Sequence, residues 1–318
     1  MPSKERNVFK YQPEELGWKI EHIPKAVLDD STWTWISEFH NLLLFGTKGN
    51  DGLFIYDVTN DEWKPPFLPS DADSIEIAFT TKSKLLVAGF GAFHVCSLPD
   101  LKFQKVLKHE NGGWAGAPFN DMALVPSEEL GIDLISPDSE SIKRKYRLPP
   151  EQVKFEDYCV DTINHNNKVL ASLVENGIDY YFLIWNLETG KFSGYLNATC
   201  VDYEGPYLGD NLLYYENTIV NLHSLSITKE LEEYSIAGLS GNSLIASKYD
   251  PDDSEDTYFV LYDLINWQRK KEIVVTGCEL HQISFSSRYV LLKRSDFDPP
   301  YYVLIDFMDL LERSGIEG

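Results

Sequence analysis

Four stretches of the sequence align without gaps and decide the fold: LFIYDVTNDEW at 53–63, FLIWNLETGKF at 182–192, FVLYDLINWQR at 259–269 and YVLIDFMDLLE at 302–312. In each stretch, β-branched and aromatic residues precede an Asp or Asn and a turn, which is typical of a strand that enters a hairpin. The stretches AFHVCSLPDLKF at 92–103 and IVNLHSLSITKE at 219–230 follow the same plan. We therefore predict a β-strand that recurs along the whole chain.

A second strand pattern recurs upstream of each of these stretches, beginning near residues 32, 74, 118, 157, 198, 235 and 278. The spacing lies between 37 and 44 residues, and Cys159-Val160-Asp161 and Cys200-Val201-Asp202 repeat a tripeptide one period apart. Seven units of this length are typical of a propeller, in which each four-stranded sheet buries its faces against its neighbours. We predict an all-β, seven-bladed β-propeller.

The two ends of the repeat region complement each other. The last unit reaches only its third strand, at 301–307, before a short polar tail, whereas residues 17–24 alternate like a strand and have no blade of their own. We predict that this N-terminal strand completes the last blade, because pairing removes an exposed sheet edge. Residues 1–16 are predicted to be a flexible leader, and residues 17–318 a single domain.

The strand endings resemble those of WD40-type propellers: Ile55-Tyr56-Asp57, Ile184-Trp185-Asn186, Leu261-Tyr262-Asp263 and Ile305-Asp306. The turn at 188–190, Glu-Thr-Gly, adds to this resemblance. The Gly-His pair that usually opens a WD40 repeat is missing, and Trp-Asp occurs nowhere as a dipeptide. The resemblance implies a seven-bladed propeller that serves as a protein-interaction platform without catalysis.

Charge and composition exclude several classes of protein. The chain has 28 Lys and Arg against 50 Asp and Glu, a net charge of −22, which argues against nucleic acid or an anionic membrane as the principal partner. Hydrophobic residues at 43% are too many for a disordered acidic chain. Four scattered cysteines without a CxxC pair, and no apolar signal segment, favour a cytoplasmic or nuclear location.

The sequence offers no strong motif for catalysis or for a cofactor. Gly46–Gly49 and Gly89–Gly91 do not continue into a phosphate-binding loop, and the histidines show no HxxxH spacing. The run at 250–256 resembles a calcium loop, but Glu255 and Leu261 replace the required Gly and Glu. We expect a protein that is not an enzyme and holds no cofactor or metal. The alternative is a metal-assisted hydrolase that uses Asp161 and Asp202.

Acidic turns between second and third strands predict where a partner binds. Carboxylates would steer a basic segment and exposed aromatics would anchor it, and the alternative is that the acidity only keeps the protein soluble. The predicted partner-binding residues are Asp51, Trp114, Asp252, Asp253, Glu255, Asp256, Asp296, Phe297, Asp298 and Tyr301. We predict a monomeric ring within a hetero-complex, as scaffold or substrate-recognition subunit. A chaperone for a basic client, such as a histone or ribosomal protein, is a further alternative.

Overall fold

The computed structural model describes most of the chain. The described residues are 8–37, 39–47, 52–67, 75, 77–89, 92–98, 100–108, 115–127, 131–139, 141–149, 158–176, 179–198, 207–209, 211–231, 234–240, 243–248, 256–284, 288–294 and 298–313.

A short N-terminal segment precedes the repeated part of the chain. Its elements are strand β1 (Val8–Tyr11), a 3-10 helix (Pro13–Glu15), strand β2 (Trp18–Ile20) and helix α1 (Lys25–Asp30). The three blades that follow have consecutive strands side by side in their sheets. Blade 1 is β3 (Ser31–Ser37), β4 (Leu42–Thr47), β5 (Leu53–Asp57) and β6 (Glu62–Phe67); blade 2 is β7 (Ile77–Thr80), β8 (Lys84–Gly89), β9 (Ala92–Ser97) and β10 (Phe103–Lys108); blade 3 is β11 (Ala117–Phe119), β12 (Met122–Ser127), β13 (Gly131–Ser136) and β14 (Ser141–Arg147).

The remaining four blades continue the pattern, and a helix follows the last strand. Blade 4 is β15 (Tyr158–His165), β16 (Val169–Asn176), β17 (Asp179–Asn186) and β18 (Phe192–Ala198); blade 5 is β19 (Tyr207–Leu208), β20 (Leu212–Tyr215), β21 (Thr218–Asn221) and β22 (Ser226–Glu230). Blade 6 is β23 (Ser235–Ser240), β24 (Ser243–Lys248), β25 (Thr257–Asp263) and β26 (Arg269–Val275); blade 7 is β27 (Glu279–Ile283), β28 (Tyr289–Arg294) and β29 (Tyr301–Asp306), followed by helix α2 (Phe307–Arg313).

This architecture confirms the prediction of an all-β, seven-bladed β-propeller, and the WD40-type resemblance holds at the level of the blades. The chain divides into two compact units. One contains blades 6 and 7 with the N-terminal segment, the other contains blades 1 to 4, and blade 5 contributes residues to both. Neither described helix has the length and apolarity that crossing a membrane requires.

The blades are held together by apolar residues that face neighbouring sheets. All six residues of β4 are buried, as is usual for a strand whose sheet is covered on both faces. Within the larger unit, Leu44, Leu85 and Val87 belong to one core cluster, and Phe79 and Phe93 belong to the next. This burial explains why the sequence shows continuous apolar runs where a half-exposed sheet would alternate.

The Asp or Asn that ends each aligned third strand caps the segment that follows it, which is the turn to the fourth strand in blades 1, 4 and 6 and helix α2 in blade 7. The Oδ1 atom of Asp57 accepts the backbone N–H of Thr59 and of Asn60, each at 3.1 Å. Asn186, Asn221, Asp263 and Asp306 make equivalent bonds to backbone N–H groups two or three residues ahead. The recurrent Asp or Asn in the sequence is therefore a turn-capping residue, whose side chain satisfies N–H groups that the turn leaves unpaired.

The last blade is completed by the N-terminal strand, as predicted. β2 pairs antiparallel with β29, with Trp18 opposite Leu304 and Ile20 opposite Tyr302. Ile20 is fully buried in this position. The two ends of the repeated region are therefore joined by hydrogen bonds within one sheet.

Residues 8–16 differ from the predicted flexible leader. β1 pairs in parallel with β26 and becomes a fifth strand of blade 6, with Val8 opposite Glu272 and Tyr11 opposite Val275. Leu16 is 5% exposed and belongs to the core cluster of blades 6 and 7. The described part of the leader is thus an ordered element, because strand pairing and one buried leucine hold it.

Two further expectations concern the end of blade 7 and the start of blade 5. The tail after β29 is helix α2, whose Phe307, Leu310 and Leu311 are buried in the same cluster as Leu16. Apolar residues at i, i+3 and i+4 form one helical face, so the tail is not simply polar. The first strand of blade 5 is predicted to begin near 198; Ala198 is the last residue of β18, residues 199–206 lie outside the described residues, and the first described strand of blade 5 is β19.

The N-terminal segment makes a measurable prediction about stability. We expect Leu16→Ala to lower the free energy of unfolding by about 2–4 kcal/mol, because it leaves a cavity in the core. Urea unfolding followed by circular dichroism measures this change. Lys10→Ala, on the exposed side of β1, is the control and should change stability by less than about 0.5 kcal/mol. Equal stability of both variants would instead support a leader that contributes nothing to the fold.

Candidate functional site

The candidate site comprises the acidic turns, which we define as the two connections between second and third strands in blades 6 and 7, at 249–256 and 295–300. Both belong to the same compact unit. The strands that flank them are largely buried, so each turn starts and ends on fixed backbone. The structure describes the ends of the turns, Asp256 in blade 6 and residues 298–300 in blade 7.

Arg294 and Tyr301 close the base of the blade 7 turn, and both contact Glu14 of the N-terminal segment. The Nη1 atom of Arg294 lies 3.0 Å from Glu14 Oε1, and the Tyr301 hydroxyl donates a short hydrogen bond to the same oxygen. Arg294 is only 8% exposed. A buried guanidinium requires a counter-charge, and the N-terminal segment supplies it.

Tyr301 does not fulfil the prediction of an exposed aromatic anchor. Its side chain is 5% exposed and packs in the core of blades 6 and 7. Lys19 Nζ lies 4.3 Å from the centre of its ring, and Arg294 Cζ lies 6.0 Å from it. The ring is therefore enclosed by two cations, which stack favourably on an aromatic face, and by the glutamate that its hydroxyl binds.

Glu14 remains ionised at neutral pH. Partial burial acts to raise the pKa of its carboxyl, but the hydrogen bonds from Tyr301 and from its own backbone and the charge of Arg294 lower it below the ordinary value. The negative charge at the base of the blade 7 turn is therefore permanent under physiological conditions.

The base of the blade 6 turn is fixed by hydrogen bonds to the start of blade 7. Asp256 Oδ1 accepts the backbone N–H of Gly277 at 2.8 Å, and Thr257 Oγ1 donates to the carbonyl of Cys278 at 2.7 Å. Gly277 has φ +67°, and a Cβ placed there would lie 2.8 Å from Arg294 Nη2. The positive φ favours glycine, and the missing side chain lets Arg294 lie against Gly277, so the two turn bases contact each other there.

The ten predicted partner-binding residues fall into two groups. Asp256 and Asp298 are described at the ends of the acidic turns, with Asp298 exposed, and Tyr301 is buried as stated above. The other seven lie outside the described residues: Asp51, Trp114, Asp252, Asp253, Glu255, Asp296 and Phe297. The structure thus brings Asp256 and Tyr301 into one connected cluster through Gly277, Arg294 and Glu14.

Sequence reasoning missed Glu14, Lys19 and Arg294. Glu14 and Lys19 are close in the chain, but Arg294 lies 280 positions from Glu14, which it contacts. The signal available was weak: a Pro-Glu-Glu-Leu turn at 13–16 just upstream of the strand that was predicted to complete the last blade. That position implied that residue 14 would lie close to blade 7.

The residues proposed for hydrolysis are only partly described. Asp161 lies in β15, the first strand of blade 4, and Asp202 lies outside the described residues. Within the described ranges, no group of three or more His, Cys, Asp and Glu residues could hold a metal ion. Burial raises the pKa of the Cys96 thiol to about 11 and that of Cys278 to about 12, which keeps both protonated and weakly nucleophilic at neutral pH.

Comparisons with known proteins bear on the fold alone. No protein-family model and no curated protein matches the chain. Among solved structures, the chain is similar to BamB from Moraxella catarrhalis, with 11% sequence identity and a TM-score of 0.59 over 86% of this chain and 84% of that chain. At this identity the likeness supports a β-propeller fold and carries no information about partners.

The Glu14 cluster predicts a pH-dependent contribution to stability. Because the pKa of Glu14 is lower in the folded state than in the unfolded chain, its charge stabilises the protein above about pH 4.5, and this contribution is lost as the pH falls through the folded-state pKa. At pH 7 we expect Glu14→Gln to cost about 1 kcal/mol or less, since the side chain is 37% exposed and water screens the pair.

Thermal unfolding at pH 7, 5, 4 and 3 measures the difference between wild type and Glu14→Gln. The difference should shrink towards pH 3, because wild type loses the charge that the variant never has. Glu15→Gln is the control. The carboxylate of Glu15 accepts a hydrogen bond from the backbone N–H of Gln12, and the amide oxygen of a glutamine can accept the same bond. A difference that stays constant over the whole pH range would show that the charge of Glu14 does not support the cluster.

Proposed function

We propose that the protein is a non-catalytic interaction platform whose acidic turns bind a partner protein or peptide, as the scaffold or substrate-recognition subunit of a complex. The observation that carries this proposal is the fixed base of both turns. The ion pair between Glu14 and Arg294 and the bond from Gly277 to Asp256 hold the ends of the turns. A loop whose two ends are held loses less entropy when a partner docks than a loop with free ends.

Charge defines the kind of partner. The sequence places Asp250, Asp252, Asp253, Glu255 and Asp256 in one turn, and the neighbouring turn adds Asp296 and Asp298. Glu14 pairs with Arg294 at the base of the blade 7 turn, so the charge of that arginine is already compensated. A basic protein segment would be attracted both by these turns and by the net charge of −22.

Two alternatives from the sequence remain proposals of lower rank. A chaperone for a basic client would use the same acidic turns, and strong salt dependence of binding would favour it. A metal-assisted hydrolase with Asp161 and Asp202 would require bound metal in the purified protein. The proposed platform acts inside the cell, in the cytoplasm or nucleus, as a monomer within a hetero-complex.

The test is a comparison of partner capture by two charge variants. The acidic-turn variant carries Asp252→Asn, Asp253→Asn, Glu255→Gln, Asp296→Asn and Asp298→Asn, and keeps Asp256 because that residue holds Gly277. The matched control replaces five exposed carboxylates elsewhere: Glu62→Gln, Asp121→Asn, Glu188→Gln, Glu230→Gln and Asp309→Asn. Both variants change the net charge by the same amount.

We expect wild type and the control variant to capture the same proteins from cell lysate. The acidic-turn variant should capture these proteins in amounts at least about tenfold lower, because several charge contacts at the interface are lost. Quantitative mass spectrometry at 0.1 and 0.5 M NaCl measures the capture, and circular dichroism verifies that each variant is folded. Equal capture by both variants would refute the role of the acidic turns. Metal in the purified protein together with hydrolytic activity would favour the hydrolase.

A further inference from the structure

Two outer strands of this acidic protein are strongly basic. Residues 102–108 read KFQKVLK and residues 141–147 read SIKRKYR, and they contain seven of the 28 Lys and Arg residues but no Asp or Glu. The two segments include β10 and β14, the fourth strands of blades 2 and 3. They are the terminal strands of their sheets. Positive charge is therefore concentrated on two neighbouring blades of one compact unit.

Contacts between blades 2 and 3 connect β10 to the turn that precedes β14. Lys105 Nζ donates to the carbonyl of Asp138 at 2.8 Å, and Lys84 Nζ lies 3.1 Å from Asp138 Oδ1. Asp138 belongs to the turn that leads into β14. Phe103 and Ile142, near the start of each strand, are 54% and 47% exposed. We call the surface formed by 102–108 and 141–147 the basic strip.

Some cations of the basic strip are paired with carboxylates, and others have exposed side chains. Asp100 lies 3.0 Å from Lys102, and the buried Asp133 lies 2.6 Å from Arg147. The carboxylate of Asp138 is paired with Lys84, which is outside the strip. Lys108 and Lys143 have exposed side chains. The exposed Lys102, Lys108 and Lys143 thus lie in two segments that hold seven cations and no carboxylate, beside two exposed apolar side chains.

Blade 6 shows how such a strand holds an extended chain. Its fourth strand, β26, begins with Arg269-Lys270-Lys271, and β1 lies along its edge as an added parallel strand. Lys271 Nζ lies 4.9 Å from the centre of the Phe9 ring, so a cation of the fourth strand contacts an aromatic side chain of the added segment. The fold therefore already contains a basic fourth strand that binds an extended segment with an apolar side chain.

We propose that the basic strip is a docking site for an extended acidic polypeptide segment that carries at least one large apolar side chain. The carboxylates of the segment would pair with the exposed Lys102, Lys108 and Lys143, and its apolar side chain would cover Phe103 or Ile142. This goes beyond the function proposed above, because the surface lies on other blades and selects partners of opposite charge. The protein would then join an acidic partner to a basic one.

A peptide fits this surface better than a large polyanion. Nucleic acid or an anionic membrane would extend past the strip and meet the field of a chain with net charge −22. A peptide that covers only the strip interacts mainly with the cations of the strip. At physiological ionic strength, charges more than about 8 Å away are screened.

The test uses a fluorescein-labelled peptide of twelve residues in which glutamate alternates with leucine and phenylalanine, and a second peptide with glutamine in place of glutamate. Fluorescence anisotropy measures binding to the full chain. The strip variant carries Lys102→Gln, Lys108→Gln and Lys143→Gln, with Ile142→Ser as a separate variant. The matched control replaces exposed residues of other blades: Lys10→Gln, Lys168→Gln and Lys191→Gln, with Ile227→Ser.

We expect wild type to bind the glutamate peptide and not the glutamine peptide. The strip variant should bind at least about tenfold more weakly, as expected for three lost charge contacts, while the lysine control changes less than about twofold. Ile142→Ser should weaken binding more than Ile227→Ser. Carbodiimide cross-linking should join the glutamate peptide to lysines of the strip, which mass spectrometry locates. The acidic-turn variant should retain this binding, so the two proposals fail independently.

Several results would overturn the proposal. Equal binding by the strip variant and its control, or cross-links confined to other lysines, would remove the site. Binding to phosphatidylserine vesicles without binding to the peptide would assign the strip to a membrane. Concentration-dependent dimers of wild type that the strip variant does not form, without peptide binding, would assign it to self-association. Aggregation of the strip variant with no peptide binding by wild type would mean that the lysines only protect exposed strand edges.

Discussion

Hydrogen bonds between the N-terminal segment and the two last blades are the constraint on which the smaller compact unit depends. A β-sheet that ends in an unpaired strand exposes a row of N–H and C=O groups and invites aggregation. In blade 7 the missing fourth strand is provided by β2, and in blade 6 the fourth strand is itself covered by β1. Residues 8–20, thirteen in all, thus pair with the edge strands of two sheets. They also place Leu16 in the core of blades 6 and 7.

The same segment links the fold to the candidate site. Glu14 lies between β1 and β2, so the pairing of those strands determines where its carboxylate is held. There it receives bonds from Arg294 and Tyr301, at the two ends of the blade 7 turn. Arg294 also packs against Gly277, whose N–H binds Asp256 at the end of the blade 6 turn. Glu14, Arg294 and Tyr301 therefore connect the core of blades 6 and 7 to the bases of the acidic turns.

The sequence predicted the features that repeat, together with the N-terminal strand β2 that completes the last repeat, and failed on β1, α2 and the burial of Tyr301. The aligned third strands are real strands, since their apolar runs are buried and their final Asp or Asn caps the next turn. Repetition makes such a signal visible, because every blade must bury the same kind of apolar strand against its neighbours. β1 is four residues long and α2 is seven, and each is ordered by tertiary contacts that a single short pattern does not reveal. Tyr301 was misjudged for the same reason, because the residues that bury it are distant in the chain.

The placement of β1 and β2 also has a consequence for the order of events during synthesis. Their partner strands, β26 and β29, lie more than 250 residues further along the chain, as the pairing of Val8 with Glu272 shows. At ribosomal rates of about 5–20 residues per second, the N-terminal strands wait roughly 15–60 s before those partners emerge. Through that interval an apolar strand such as Val8–Tyr11 remains unpaired, so the cell must keep the nascent chain from associating with other strands until its last blades have been made.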